Sequence, residues 1–140
     1  MLNVLLVEPD DESCLMLWQS IVQAGGCVTI TDSAACAREA LRDNSHLSLL
    51  ITNAFLPDGR GSELAQEAAT LGTRFLIVRN GEDGEDIVEI SNEHGVVFHG
   101  TDIEAMGFVK EVLRRGLSLW RGQASSGTAR KVDATPIVDN

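Results

Sequence analysis

The sequence predicts an α/β fold: a doubly wound (βα)5 three-layer sandwich, with a five-stranded parallel sheet between two layers of helix. Three observations predict it. Short uninterrupted apolar runs recur along the chain, as strands buried on both faces require. Between them lie stretches with apolar residues at helical spacing. The two kinds alternate from the N-terminus to about residue 120, and alternation implies parallel strands joined by crossover helices.

The elements follow in order. Val4-Leu5-Leu6-Val7 is the first strand. Asp10 can cap a helix in which Leu15, Trp18, Ile21 and Val22 recur at helical spacing, and Gly25-Gly26 stops it. Cys27-Val28-Thr29-Ile30-Thr31 is β-rich, and Asp32 or Ser33 caps a second helix over residues 34–43. Residues 47–52 form the third strand. The loop after it, Asn53-Ala-Phe-Leu-Pro57-Asp58-Gly59-Arg-Gly61, carries three breakers. A helix over 62–71 and a strand over 74–78 come next. Gly81 and Gly84 mark a loop, and Ile87, Val88 and Ile90 face inward from a helix over 85–93. Val96-Val97-Phe98 is the fifth strand. Thr101-x-x-Glu104 is a capping box for a last helix ending near Trp120, with Ile103, Met106, Val109, Leu113 and Leu117 on one face. Residues 1–120 therefore read as one domain, and 121–140, small and polar without periodicity, as a flexible tail or linker.

Composition narrows the function classes. A hydrophobic content of 44% supports a real core, and 23% charged residues is an ordinary globular level. No apolar run approaches the roughly 18 residues of a membrane span, and the N-terminus lacks a signal peptide's basic flank, so a cytoplasmic location is the default expectation. Cys14, Cys27 and Cys36 form no CxxC pair, and His46, His94 and His99 have no ligand spacing; neither set points to a metal site or a disulfide framework. Residues 1–120 hold 19 acidic and 8 basic side chains, a net charge of −11, and the last twenty are +1. Such a domain repels phosphate backbones and anionic lipid, so the expected partner is a protein, with no nucleic acid bound by residues 1–120 and no membrane.

In sheets of this topology, ligands sit beyond the carboxyl ends of the strands. Those ends are Glu8, Thr31, Asn53, Arg79 and His99. The order of motifs there resembles the receiver domains of two-component response regulators, a flavodoxin-like family. VLLVEPDDE is similar to its first strand and acidic cluster. LLITNAFLPDGRG is similar to its third strand, phosphoacceptor position and following loop. FLIVRNGED resembles the fourth strand and switch loop, and VVFHGT the fifth strand and its Lys-Pro turn.

The resemblance implies a phosphorelay: an Asp at the end of the third strand takes a phosphoryl group from a kinase phosphohistidine. Two acids after the first strand hold Mg²⁺, and a Thr or Ser and a Lys bind the phosphoryl oxygens. Carried over, the phosphoacceptor position is Asn53, a poor nucleophile and a weaker metal ligand than a carboxylate. The acidic pair falls on Glu8 and Pro9, the hydroxyl on Arg79, the lysine on His99, followed by Gly100 instead of Pro. One of these five positions, Glu8, is retained in kind. Four departures together are not one inactivating change.

The expectation is an atypical, pseudo-receiver-like domain in signal transduction, not an enzyme, acting through phosphorylation-independent protein contact. No cofactor and no Mg²⁺ site are expected; any metal would take Glu8 and Asp10. Asp10 otherwise caps the first helix, with Asp11 and Glu12 in its first turn. Arg79 is expected either to place its guanidinium against Glu8, where a metal would sit, or to point to solvent. His99 is read as a polar strand-end residue. The resemblance implies a histidine kinase, phosphotransferase or output protein as partner. It also suggests a homodimer through the fourth helix, fifth strand and fifth helix, pairing the acidic run 82–89 with Lys110, Arg114 and Arg115. Two alternatives remain: a working phosphorylation switch using Asp10 or Asp58, or a flavodoxin-like cofactor binder, disfavoured because EPDDE repels phosphate.

Overall fold

The computed structural model describes residues 2–43, 46–79 and 95–115. The predicted helix over 85–93, the acidic run 82–89, Leu117, Trp120 and the tail 121–140 lie outside them. The elements are β1 (Asn3–Val7), α1 (Asp11–Gln23), β2 (Cys27–Thr31), α2 (Ala34–Asp43), β3 (Leu49–Asn53), β4 (Phe55–Leu56), β5 (Gly59–Arg60), α3 (Gly61–Thr70), β6 (Arg74–Arg79), β7 (Gly95–His99) and α4 (Asp102–Arg115). The predicted fourth and fifth strands are therefore β6 and β7, and the predicted last helix is α4.

The five-stranded sheet has the order β2-β1-β3-β6-β7, with all four pairings parallel. This is the predicted doubly wound arrangement. The apolar runs explain it directly. Successive residues of a strand point to opposite faces, so each run feeds two cores. Val4, Leu6, Leu49, Ile51, Leu76, Val78, Val96 and Phe98 meet α1 and α4 on one face. Leu5, Val7, Leu50, Phe75, Ile77 and Val97 meet α2 and α3 on the other.

The helix starts behave as their sequences predict. Asp10 accepts from Ser13 N at 2.9 Å, and Ser33 Oγ accepts from Cys36 N at 3.2 Å. The Thr101–Glu104 capping box closes in both directions, at 3.0 and 3.2 Å. At the end of α1, Gly25 takes a φ of +90°, the left-handed conformation glycine adopts without cost.

Two helix faces differ from the apolar pattern. In α1 the inward residues are Ser13, Leu17, Ser20 and Ile21, while Leu15, Trp18 and Val22 are exposed. The small serines let α1 lie close to α4, and their hydroxyls are satisfied by Asp102 Oδ2 and Met16 O. In α4, Ala105, Phe108, Val109, Val112 and Leu113 are buried, and Ile103 is 73% exposed. Phe98 stacks on Phe108 at 4.9 Å between ring centroids, which turns that face inward. No helix of the described residues is long and apolar enough to cross a membrane.

The loop after β3 is an antiparallel ribbon, β4 with β5, closed by Pro57 and Asp58. Two-residue strands carry no readable period, so the sequence shows only the breakers there.

Candidate functional site

The parallel register brings Glu8, Asn53, Arg79 and His99 to one end of the sheet, as the topology predicts. What they do there is set by polar satisfaction. Glu8 follows β1, donates its N–H to Thr31 O at 3.1 Å, and is 4% exposed. A carboxylate at that depth must be hydrogen-bonded. Asn53 supplies the bonds: its Nδ2 lies 3.0 Å from Glu8 Oε1 and 3.2 Å from Oε2. Asp10 N donates to Oε2 at 3.0 Å.

The amide orientation is fixed by its other end. Asn53 Oδ1 accepts from Phe55 N at 2.8 Å, and a flipped amide would set two donors against each other. Asn53 is thus a neutral bridge between a buried carboxylate and the loop backbone.

The expected contact between Arg79 and Glu8 is not formed. The Arg79 guanidinium lies over the Phe55 ring, 5.2 Å from its centroid, and the partners of Glu8 are Asn53 and the Asp10 backbone. A half-exposed aromatic face two residues past Asn53 holds the cation instead. His99 is partly buried at the end of β7, beside Arg79, and its Nε2 is buried with no hydrogen-bond partner among the described residues.

These donors do not suit Mg²⁺, which needs several oxygen ligands in near-octahedral geometry. Both Glu8 oxygens already accept hydrogen bonds, and Asn53 turns its nitrogen toward them. Pro9 offers no side-chain ligand, and Asp10 is engaged as the cap of α1. Among the described residues no group of three or more His, Cys, Asp or Glu is placed to hold a metal.

Asp58, an acid of the alternative phosphorylation switch, is exposed in the loop and caps a helix there. Its Oδ1 and Oδ2 accept from Ala34 N at 2.7 Å and Ala35 N at 3.0 Å, capping α2 from 24 residues away. Arg38 of α2 reciprocates toward α3, reaching Glu67 at 2.6 Å. The loop beside Asn53 is therefore tied to α2. The Pro57-Asp58 turn was the available sequence signal; its partner helix was not legible.

The acids titrate in opposite senses. Burial, opposed by the Asn53 hydrogen bond, raises Glu8 above its ordinary value of 4.5. Helix-capping hydrogen bonds lower Asp10 and Asp58 below theirs of 3.8. By linkage, the Glu8 contribution is present below 4.5 and lost as pH rises through its raised folded value. The Asp10 and Asp58 contributions are present above 3.8 and lost as pH falls through their lowered values. Glu8→Gln is expected to flatten the decline of stability above 4.5 and leave the acid-side loss intact. Urea titrations across pH check this; an unchanged alkaline decline would show that Glu8 is not its source.

Part of the suggested dimer face is described. Arg114 pairs with Glu111 of its own helix at 3.8 Å, and Lys110 is partly buried.

No family model and no curated protein matches the chain. Solved structures do. A response regulator receiver domain protein from Bacillus halodurans aligns at a TM-score of 0.66 and 19% identity, covering 81% of this chain and 95% of that one. The N-terminal domain of a response regulator/sensory box/GGDEF three-domain protein from Carboxydothermus hydrogenoformans aligns at 0.64 and 15%, covering 86% and 98%. A sensor protein from a Polaromonas species aligns over less, 57% of this chain and 66% of that one, at 0.52 and 20%. At these identities the likeness is one of fold. Sheet order and crossover helices agree with it, and the chain has the flavodoxin-like fold of response regulator receiver domains.

Proposed function

We propose that this chain is a regulatory module of the receiver type that signals through protein contact without aspartyl phosphorylation, and that it catalyses no reaction of its own. The observation that carries the reading is the Asn53 bridge. The residue at the position where the resemblance implies a nucleophile is a carboxamide, and both its ends are hydrogen-bonded within the protein. An amide is a poor nucleophile.

The acids of the alternative reading are committed elsewhere: Asp10 caps α1 and Asp58 caps α2. Pro9 and the bridged Glu8 favour a pocket that works without Mg²⁺. A net charge of −10 supports a protein partner over a nucleic acid. So does the exposed apolar stripe Leu15, Trp18 and Val22 on α1, which a solvated helix has no reason to carry. A histidine kinase, a phosphotransferase or an output protein fits this role.

The test is intact mass after incubation with Mg²⁺ and a small-molecule phosphodonor. The expected result is no phosphoryl adduct. A stable adduct overturns the reading, and peptide mapping then names the acid that took the group.

A further inference from the structure

The sheet ends on a strand that lacks the usual protection of an edge. β2 is the first strand in the order β2-β1-β3-β6-β7, and among the described residues it pairs with β1 alone. Its sequence, Cys27-Val28-Thr29-Ile30-Thr31, holds no charge and no proline, and its register with β1 runs through all five residues without a bulge. Charges, prolines and bulges are devices that keep edge strands from pairing further. The parity of the ladder says which groups are open. Cys27 donates its N–H to Leu2 O, and Thr31 O accepts from Glu8 N, so residues 27, 29 and 31 face β1. Val28 and Ile30 therefore turn their N–H and C=O groups outward.

We propose that β2 pairs antiparallel with β2 of a second copy of this chain, about a two-fold axis at Thr29, joining two five-stranded sheets into one. The register follows from the parity. With Thr29 opposite the partner's Thr29, Val28 meets the partner's Ile30, and Ile30 meets the partner's Val28. Both are hydrogen-bonded pairs, in which the two residues exchange both N–H···O bonds, and the Thr29 pair between them is the non-hydrogen-bonded one. Every outward N–H and C=O of the two strands is then used. A slip of one residue would set outward groups against inward ones and lose them all.

Side chains and charge favour the same partner. Ile30 lies beside Leu6 on the α1 face and is 47% exposed; Thr29 lies beside Leu5 on the α2 face and is exposed. The described helices thus leave both faces of the strand open at its centre. Pairing sets Ile30 against Val28 twice and Thr29 against Thr29, and β-branched and Thr–Thr pairs of this kind stabilise antiparallel strands. Two chains of net charge −10 repel each other. Yet from Ser13 to Thr31 no residue is charged, and over residues 13–43 Arg38 and Arg42 nearly balance Asp32, Glu39 and Asp43. The flank formed by α1, β2 and α2 is therefore one on which two copies meet with little like-charge repulsion. It lies at the opposite edge of the sheet from β7, away from the pairing that the resemblance suggests, and it does not depend on the chemistry at Asn53.

The test combines sedimentation of the full chain over a range of concentrations with residue-resolved amide hydrogen exchange. A dimer is expected to form as concentration rises, and the Val28 and Ile30 amides are expected to pass from fast to slow exchange with it. The Thr29 amide, bonded to β1, is expected to be slow throughout. Thr29→Lys places two like charges directly opposite each other and is expected to weaken the dimer at least about ten-fold while leaving the monomer folded, since the side chain is exposed. Thr29→Glu is the second variant, with the same expectation, and an equimolar mixture of the two variants is expected to restore pairing. A chain that stays monomeric at every concentration overturns the proposal. So does protection of Val28 and Ile30 that does not change with concentration, which would mean that the chain covers its own edge. A dimer indifferent to Thr29→Lys, or a mixture of the two charged variants that does not pair, overturns it as well.

Discussion

Replacing Asn53 by Asp destabilises the protein at neutral pH by about 2–4 kcal/mol. The amide now donates to both oxygens of Glu8, at 3.0 and 3.2 Å. A carboxylate there sets acceptor against acceptor and charge against charge. At an effective dielectric of about 20, two charges about 3 Å apart repel by about 5 kcal/mol. The loss is capped, because the pair can take up a proton. Keeping one carboxyl of ordinary pKa about 4 protonated at pH 7 costs about 4 kcal/mol, and relaxation reduces it further. The direction with pH follows. The raised pair contributes its stability below the ordinary carboxylate range and loses it as pH rises, so the penalty shrinks on acidification. Mg²⁺ is expected to raise the melting temperature of the variant, where two carboxylates face each other, and to leave the wild type unchanged. Urea denaturation of both proteins at neutral and mildly acidic pH decides it. A variant as stable as wild type at neutral pH would show that Asn53 and Glu8 do not touch.

Gly61→Ala destabilises by about 1–3 kcal/mol. Here α3 begins directly against the end of β3. Gly61 N donates to Ala54 O at 2.9 Å, and a Cβ on Gly61 would run into the Asn53 carbonyl oxygen, with Asn53 C and Thr52 Cγ2 each at 3.1 Å. The obstacle is backbone of a central strand, which yields only by moving the site. Helix propensity works the other way but is worth at most about 1 kcal/mol, and less in a first turn. Gly107→Ala is the control. Gly107 lies inside α4 with nothing within 4 Å of a new Cβ, and the change there stabilises by up to about 1 kcal/mol. Thermal melts of the two variants should move in opposite directions; movement of both upward would mean that α3 is not seated on Asn53.

Much of the fold was legible because strands buried on both faces must be apolar throughout, and no helix can hide that signal. Caps at Asp10, Ser33 and Thr101 were legible because their chemistry is local. The facing of α1 was not. Hydrophobic spacing favours Leu15, Trp18 and Val22, but close approach of two helices favours small residues, and Ser13 and Ser20 take the inner face. At the site, Glu8 and Asn53 were legible as residues and their bond was not. Charge alone pairs Glu8 with Arg79. The structure pairs it with an amide, because Phe55 offers both an N–H for the Asn53 oxygen and a ring for the Arg79 cation. The capping role of Asp58 depends on a hairpin too short to announce itself.

The closed circuit of Asp10 N–H, Glu8, Asn53 and Phe55 N–H also bears on how such a pocket can change over generations. Every donor in it has an acceptor among the described residues. Introducing a carboxylate at position 53 alone costs stability that a protein with a total of about 5–15 kcal/mol can ill spare. Introducing one at position 9 alone adds negative charge beside a buried acid and gives no nucleophile. Each single acidic change at this pocket therefore lowers stability before any ion is bound. The bridge acts as a ratchet: once formed, it makes every single acidic change beside Glu8 costly.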